Sequence, residues 1–188
     1  MNRHSFRFKT LLEELDWDCQ DQSHRIDSLN MIHGYPGSFI SSIPGNIIDI
    51  FSNEKDIVWD PFCGSGISAI ESIKRNRAFY GNDINEIAII TTLAKIKLIE
   101  NFSLFKNHSP KLLNFIEVKE AESKLGIHNS YQIDTKLYPM EDLTPWYASK
   151  HIKQLAQLDA LITEFPTPES LKVIYKAIFL NLARLASA

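Results

Sequence analysis

Two glycines placed between two short apolar runs constrain this chain more than any other feature. Gly64 and Gly66 follow the apolar run at 57–59, and a helical pattern of apolar residues leads from them to a second run at 78–80. Glycine carries no Cβ, so it allows a tight turn and a close approach of the backbone to a ligand. Strand, glycine turn, helix and strand, in this order, form the first half of a nucleotide-binding α/β unit.

Two more positions fit such a unit. Ala69 completes the spacing Gly64-x-Gly66-x-x-Ala69, in which a third small residue lets the helix pack close to the strand. The fingerprint also places a carboxylate about 20 residues further on. Asp83 stands there, just after the second apolar run, and a carboxylate at this place can accept hydrogen bonds from both ribose hydroxyls. The glycine spacing by itself is equally typical of a loop that simply turns.

The flanking residues make the pattern specific. Residues 60–66 read DPFCGSG, and residues 81–85 read GNDIN. Together they resemble the S-adenosylmethionine site of amino-methyltransferases that act on DNA, of the restriction–modification type. The resemblance is specific over residues 31–100 and faint over residues 136–188. Its one departure is Ile67 in place of a common threonine, and backbone amides form most of such a site.

The resemblance implies which residues hold the cofactor. Asp60 would reach its amino acid end and Asp83 its ribose, while Phe62 and the two glycines complete the floor of the site. Ile84 would lie against the adenine ring, with a plain core position as the alternative. The segment HGYPGSF at 33–39 is similar to the family's wall of the methionine pocket. The expected cofactor-binding residues are Tyr35, Pro36, Phe39, Asp60, Phe62, Gly64, Gly66, Asp83, Ile84 and Asn85.

The second motif that this family needs is absent from the sequence. Such enzymes carry Asp/Asn/Ser-Pro-Pro-Tyr/Phe after a later strand, where it holds the exocyclic amine and stacks on the flipped base. The eight prolines of this chain include no adjacent pair. The catalytic residues are therefore unknown, and we expect a second chain or a missing continuation to supply the catalytic half. The last helix runs to Ala188 without a glycine or charged cap, which favours a cut or a junction.

The predicted fold class is α/β: a partial Rossmann-like class I methyltransferase sheet with helices, followed by a mainly helical insert. The expected parts are an N-terminal arm at 1–30, an S-adenosylmethionine-binding α/β unit at 31–100 and a helical insert or appendage at 101–188. Two strands are predicted, and residues 23–32 are a candidate for a third, a short edge strand. An incomplete sheet exposes an edge that invites pairing with another chain.

The helix predictions are specific enough to be checked. A helix at 43–52 should bury one apolar face, a helix capped by Asn85 should follow the second strand, and residues 101–110 should form a loop before a helix at 111–125. Thr144 should cap a helix that continues to about residue 163, and a last helix should span 169–187. The apolar faces are Ile43, Ile47, Ile50 and Phe51 in the first of these helices and Leu171, Ile174, Ile178, Leu182 and Leu185 in the last.

Composition narrows the classes of partner. A net charge of −3 gives no overall basic footprint, so any DNA groove must be local or supplied by a partner. Two cysteines without Cys-x-x-Cys spacing and six scattered histidines predict a reducing compartment and no metal site. No apolar run reaches the length of a membrane span. We expect a cytoplasmic protein with no membrane contact.

The leading interpretation is an S-adenosylmethionine-dependent component of a DNA methyltransferase, acting on adenine N6 or cytosine N4. Two alternatives stay open. One is a non-catalytic subunit that binds the cofactor or supports the assembly of a partner. The other is a tRNA guanosine methyltransferase, which shares the DPFCGSG pattern but usually carries an N-terminal RNA-binding domain. Trp146 and Tyr147 are candidates for stacking on a base or, as the favoured reading, for anchoring a helix.

Overall fold

The computed structural model describes residues 40–126 and 140–187, together with single residues at 13, 15, 29, 32, 34 and 138. Nearly all of the predicted arm at 1–30, the possible strand at 23–32 and the expected wall residues Tyr35, Pro36 and Phe39 lie outside these positions. The chain divides into two compact units, Met1–Ile96 and Lys97–Ala188. Its described part is mixed α/β and mostly helical.

A small parallel sheet organises the first unit. The elements are α1 (Ser42–Phe51), β1 (Ile57–Asp60), α2 (Ile67–Lys74), β2 (Ala78–Gly81) and α3 (Glu86–Glu100). Among the described residues the sheet has two strands, paired in parallel with Ile57 opposite Ala78 and Asp60 opposite Gly81. The predicted order of strand, glycine turn, helix and strand is therefore confirmed.

One face of this sheet is exposed and the other is covered by α2. Ile57, Trp59 and Tyr80 are 73%, 67% and 68% exposed, and they alternate with the half-buried Val58 and Phe79. Successive side chains of a strand point to opposite faces. Within the described residues, only one face of the sheet is therefore packed.

Helix α1 forms as predicted but buries a different face. Ile47 and Phe51 are 42% and 53% exposed, whereas Gly45 and Ile48 are buried. Gly45 packs against the guanidinium of Arg75, at the end of α2, so closely that a Cβ there would be 2.5 Å from its Nη2. The spacing of apolar residues cannot predict that a glycine packs against a charged side chain.

The described elements of the second unit are helices. They are α4 (Phe102–Lys124), α5 (Met140–Leu143), α6 (Ser149–Glu164) and α7 (Glu169–Ala186). Their core contains Leu112 of α4 with Leu171, Ile174 and Tyr175 of α7. The predicted apolar face of α7 is not buried near the C-terminal end of the helix, where Leu182 and Leu185 are 43% and 63% exposed.

The predicted loop at 101–110 is wrong, because α4 begins at Phe102 and continues through Pro110. A proline inside a helix costs about 3 kcal/mol, since it lacks the N–H and crowds the preceding turn. Contacts with α7 offset this cost. The rings of Phe105 and Tyr175 lie 5.8 Å apart, and Nδ1 of His108 is 2.9 Å from the Tyr175 hydroxyl. Tertiary packing therefore extends the helix beyond what the local sequence favours.

The predicted cap at Thr144 is also wrong. Its hydroxyl donates to the Glu141 carbonyl at 3.2 Å, so it closes α5, and α6 begins only at Ser149. Trp146 lies between the two helices and is 67% exposed, so it does not anchor a helix of this unit. The predicted stop at 165–168 is confirmed, since it separates α6 from α7. Within the described ranges, every helix is too short or too polar to span a bilayer.

Truncating Leu171 should destabilise the second unit far more than truncating Leu185. Leu171 is 0% exposed, so Leu171→Ala leaves a cavity and should lower the free energy of unfolding by roughly 2–5 kcal/mol. Leu185→Ala makes the same chemical change on the same helix at an exposed place, and should cost no more than about 0.5 kcal/mol. Urea unfolding followed by circular dichroism measures both; equal losses would contradict the assigned core.

Candidate functional site

The carboxyl ends of β1 and β2 bring the two sequence motifs together. The Cys63 N–H donates to the Asn82 carbonyl at 2.9 Å, and the Gly64 N–H donates to Oδ2 of Asp83 at the same distance. Parallel strands end at one edge of a sheet, which is where ligands of open α/β sheets bind. The loop after β1 is thus bonded directly to the segment after β2.

Both glycines have left-handed backbone conformations. The turn closes with a hydrogen bond of 2.8 Å from the Gly66 N–H to the Cys63 carbonyl, and φ is +50° at Gly64 and +78° at Gly66. A Cβ on Gly66 would lie 2.5 Å from Oγ1 of Thr92. This turn therefore needs glycine for its backbone angles and, at Gly66, also for space.

Asp83 is half-buried and uses both carboxylate oxygens within the protein. Oδ2 accepts from the Gly64 N–H at 2.9 Å, and Oδ1 accepts from the Asn85 N–H at 2.8 Å. Each carboxylate oxygen can accept a further hydrogen bond. Asp83 therefore fixes the geometry of both loops, a role that the sequence did not reveal, while its predicted contact with ribose stays a prediction.

Asp60 plays a similar part at the end of β1. Its Oδ1 accepts from the Phe62 N–H at 3.0 Å, and its Oδ2 accepts from the hydroxyl of Ser68 on α2. The carboxylate thereby ties the start of the glycine loop to the helix that follows it. The expected reach of Asp60 to the amino acid end of a cofactor stays a prediction.

Two apolar side chains stand exposed beside these carboxylates. Phe62 is 83% exposed and Ile84 is 102% exposed. The alternative prediction for Ile84, a plain core position, is therefore wrong. Asn85 is the predicted N-cap of α3, because its Oδ1 accepts from the Ile87 N–H at 3.0 Å. Apolar surface next to acceptor oxygens suits a ligand with a flat apolar ring and hydroxyl groups.

Sequence reasoning missed two residues of α3 that hold the glycine loop. The Thr92 hydroxyl donates to the Gly64 carbonyl at 3.0 Å, and Nζ of Lys95 donates to the Ser65 carbonyl at 2.8 Å. Both lie on a buried stripe of α3 with the spacing of one helix face, formed by Ala88, Thr91, Thr92 and Lys95. Ala94 of the same helix is also buried. Polar residues repeated at helical spacing in an otherwise apolar helix could have indicated that this face contacts the backbone of the loop.

The thiol of Cys63 lies inside this turn. Burial raises its pKa, outweighing the lowering effect of a hydrogen bond with Thr92, and the carboxylates of Asp60 and Asp83 raise it further. The thiol is therefore protonated at neutral pH and is a poor nucleophile. The described residues also contain no group of three or more His, Cys, Asp or Glu side chains that could hold a metal ion.

A methyl group added at Gly66 should cost more than one added at Gly126. Both glycines have positive φ, but a Cβ on Gly126 meets no atom within 4 Å. Gly126→Ala should cost roughly 1–2 kcal/mol from backbone strain alone. Gly66→Ala adds the overlap with Thr92 and should cost clearly more, measured by urea unfolding of the unit that carries each change. Equal costs would contradict the close packing of α3 on the loop.

Alkylation of Cys63 should require unusually high pH. Because the pKa of the thiol is raised from 9.0, the rate of its reaction with iodoacetamide should reach half of its maximum at a pH above that value in the folded protein. A Cys19→Ser background isolates the signal. Unfolding in urea should return the midpoint to that of an ordinary thiol; a folded midpoint at or below 9.0 would contradict the buried position.

The part of the chain that carries the glycine loop is also the part that matches a known protein family. Residues 7–93 match the family model described as DNA methylase, and this range includes the glycine loop, Asp83 and most of the described first unit. No solved structure matches the chain significantly.

Curated relatives match over parts of their length. Type II methyltransferase M.MvaI of Kocuria varians is 24% identical over 188 aligned residues, covering 94% of this chain and 40% of that protein. Type II methyltransferase M.MjaII of Methanocaldococcus jannaschii is 27% identical over 117 residues, covering 60% of this chain and 22% of that protein. The chain thus spans less than half the length of these relatives. The chain is thus similar to the DNA methylase family over residues 7–93 and to two Type II methyltransferases over 94% and 60% of its length.

Proposed function

We propose that this chain is a component of an S-adenosylmethionine-dependent DNA methyltransferase, and that its first unit binds the methyl donor at the carboxyl ends of β1 and β2. One observation carries the proposal: the Asp83 carboxylate joins the glycine loop to the segment after β2 through bonds of 2.9 and 2.8 Å. The family match at 7–93 covers the same residues and supports the proposal.

The residues of this edge suit the proposed cofactor. A turn with no room for a Cβ at Gly66 provides a close backbone surface, and Asp83 retains acceptor capacity for ribose hydroxyls. The exposed Phe62 and Ile84 offer apolar contact for an adenine ring. Tyr35, Pro36 and Phe39 remain the proposed wall for the methionine end. When bound, the cofactor supplies an electrophilic methyl group on sulfur, so the protein's main task is orientation.

The proposed substrate is DNA, with adenine N6 or cytosine N4 as the target. The proposed organisation is an arm at 1–30, a Rossmann-like cofactor unit at 31–100 and a helical insert at 101–188, in the cytoplasm. A second chain or a continuation would supply the catalytic half. The absence of adjacent prolines supports this, as does the exposed sheet face around Trp59 and Tyr80.

Asp83→Ala should abolish or strongly weaken cofactor binding by the isolated chain. Hydrogen bonds to a charged group contribute about 1.5–3 kcal/mol, so affinity should fall about tenfold or more. Asp56→Ala is the matched control, because Oδ2 of Asp56 also accepts a backbone N–H, from Asn53 at 2.7 Å, but at the opposite end of β1. Titration calorimetry with S-adenosylmethionine measures both. Equal affinity in the two variants would contradict the placement of the site.

Methyl transfer should require more than this chain. The isolated chain should transfer no methyl group from tritiated S-adenosylmethionine to DNA, because it lacks the Pro-Pro-aromatic motif that holds the target amine. Co-expression with a candidate catalytic chain should restore transfer. Robust activity of the chain alone would contradict the half-enzyme proposal, and a stable but inactive complex would favour the non-catalytic assembly role.

A further inference from the structure

Lys95 places an amino group in the protein interior. The residue is 1% exposed and lies on α3, within the first unit. Removing an ammonium group from water costs several kcal/mol unless it is well hydrogen-bonded. Nζ of Lys95 donates to the Ser65 carbonyl at 2.8 Å, in the middle of the glycine turn. The chain therefore retains a costly residue whose hydrogen-bonding head reaches the loop.

The same helix holds the preceding carbonyl as well. Oγ1 of Thr92 donates to the Gly64 carbonyl at 3.0 Å, so two successive carbonyls of the turn accept hydrogen bonds from α3. The direction of each carbonyl depends on the backbone angles around it, which are left-handed at Gly64 and Gly66. Glycine gives these angles little intrinsic preference, because it populates positive and negative φ almost equally. External hydrogen bonds must therefore select the conformation of the turn.

We propose that Lys95 is a positioning residue for the cofactor, acting through the Ser65 carbonyl, with Thr92 acting in the same way through Gly64. The inference rests on the proposed function. In this role Lys95 does not contact the ligand. It keeps the turn in its binding-competent shape before the ligand arrives. A loop that visits other shapes binds more weakly in proportion to the competent fraction.

Substitutions at Lys95 and Thr91 separate positioning from general stability. Lys95→Met removes the donor but keeps an unbranched, mostly apolar side chain, and Lys95→Arg keeps a charged donor. Thr91→Val is the control, because Thr91 is also fully buried on α3 but its hydroxyl donates to Ile87 of the same helix at 2.7 Å. Calorimetric affinity for S-adenosylmethionine should fall about tenfold or more in Lys95→Met. It should be unchanged in Thr91→Val and partly restored in Lys95→Arg.

Hydrogen exchange gives a second readout that needs no cofactor. The Gly66 N–H, bonded to Cys63 at 2.8 Å, should exchange faster in Lys95→Met, while the ladder amides of β2 keep their wild-type rates. A structural loss spread over the whole unit would instead accelerate both sets. If Lys95→Met does not fold, Thr92→Val removes the other donor to the turn and should weaken binding with the same local exchange signature.

The outcomes distinguish this inference from the proposed function. If the wild-type chain binds S-adenosylmethionine and folded Lys95→Met binds equally well, Lys95 is not a positioning residue. Weaker binding without rescue by Lys95→Arg, together with faster exchange throughout the unit, would also overturn the inference. If the wild-type chain does not bind, the proposed function fails. The exchange of Gly66 then decides alone whether Lys95 holds the turn: faster local exchange supports it, and unchanged exchange overturns it.

Discussion

The hydrogen bonds of the Asp83 carboxylate add to the backbone bond between Cys63 and Asn82 in joining the loops after β1 and β2. One oxygen accepts from Gly64, in the turn after β1, and the other accepts from Asn85, where α3 begins. Asn85 in turn caps α3 with its own side chain. Asp83 therefore contacts both the glycine turn and the N-cap of α3. A carboxylate in such a place would both shape the proposed site and lie beside its ligand.

Helix α3 closes this arrangement from behind. Its buried stripe contacts the turn through Thr92 and Lys95, whereas Leu93 on the same helix is 45% exposed. A helix that buried its most apolar face instead would leave the carbonyls of the turn without these donors. Polar burial is thus used here to set the shape of a loop, at a cost that apolar packing elsewhere in the unit must offset.

The sequence predicted the order of the described elements from β1 to α3 because their signals are local. Glycines at 64 and 66, the cap at Asn85 and the two apolar runs each depend on a few neighbouring residues, and all of these elements form. The missed features depend on distant partners. Pro110 lies inside a helix because Phe105 and His108 contact Tyr175 far along the chain. Hydrophobic periodicity likewise did not identify Gly45 as a packing position, nor Lys95 as a donor to the turn.

Amide NMR of the isotopically labelled chain, titrated with S-adenosylmethionine, shows directly where the cofactor binds. We expect the perturbed amides to cluster at the carboxyl ends of β1 and β2, including Gly64, Gly66, Ile84 and Asn85. Amides around Leu171 and Ile174 in the core of the second unit should remain unchanged. Perturbations confined to the second unit, or none at saturating cofactor, would contradict the assignment of this edge of the sheet as the cofactor site.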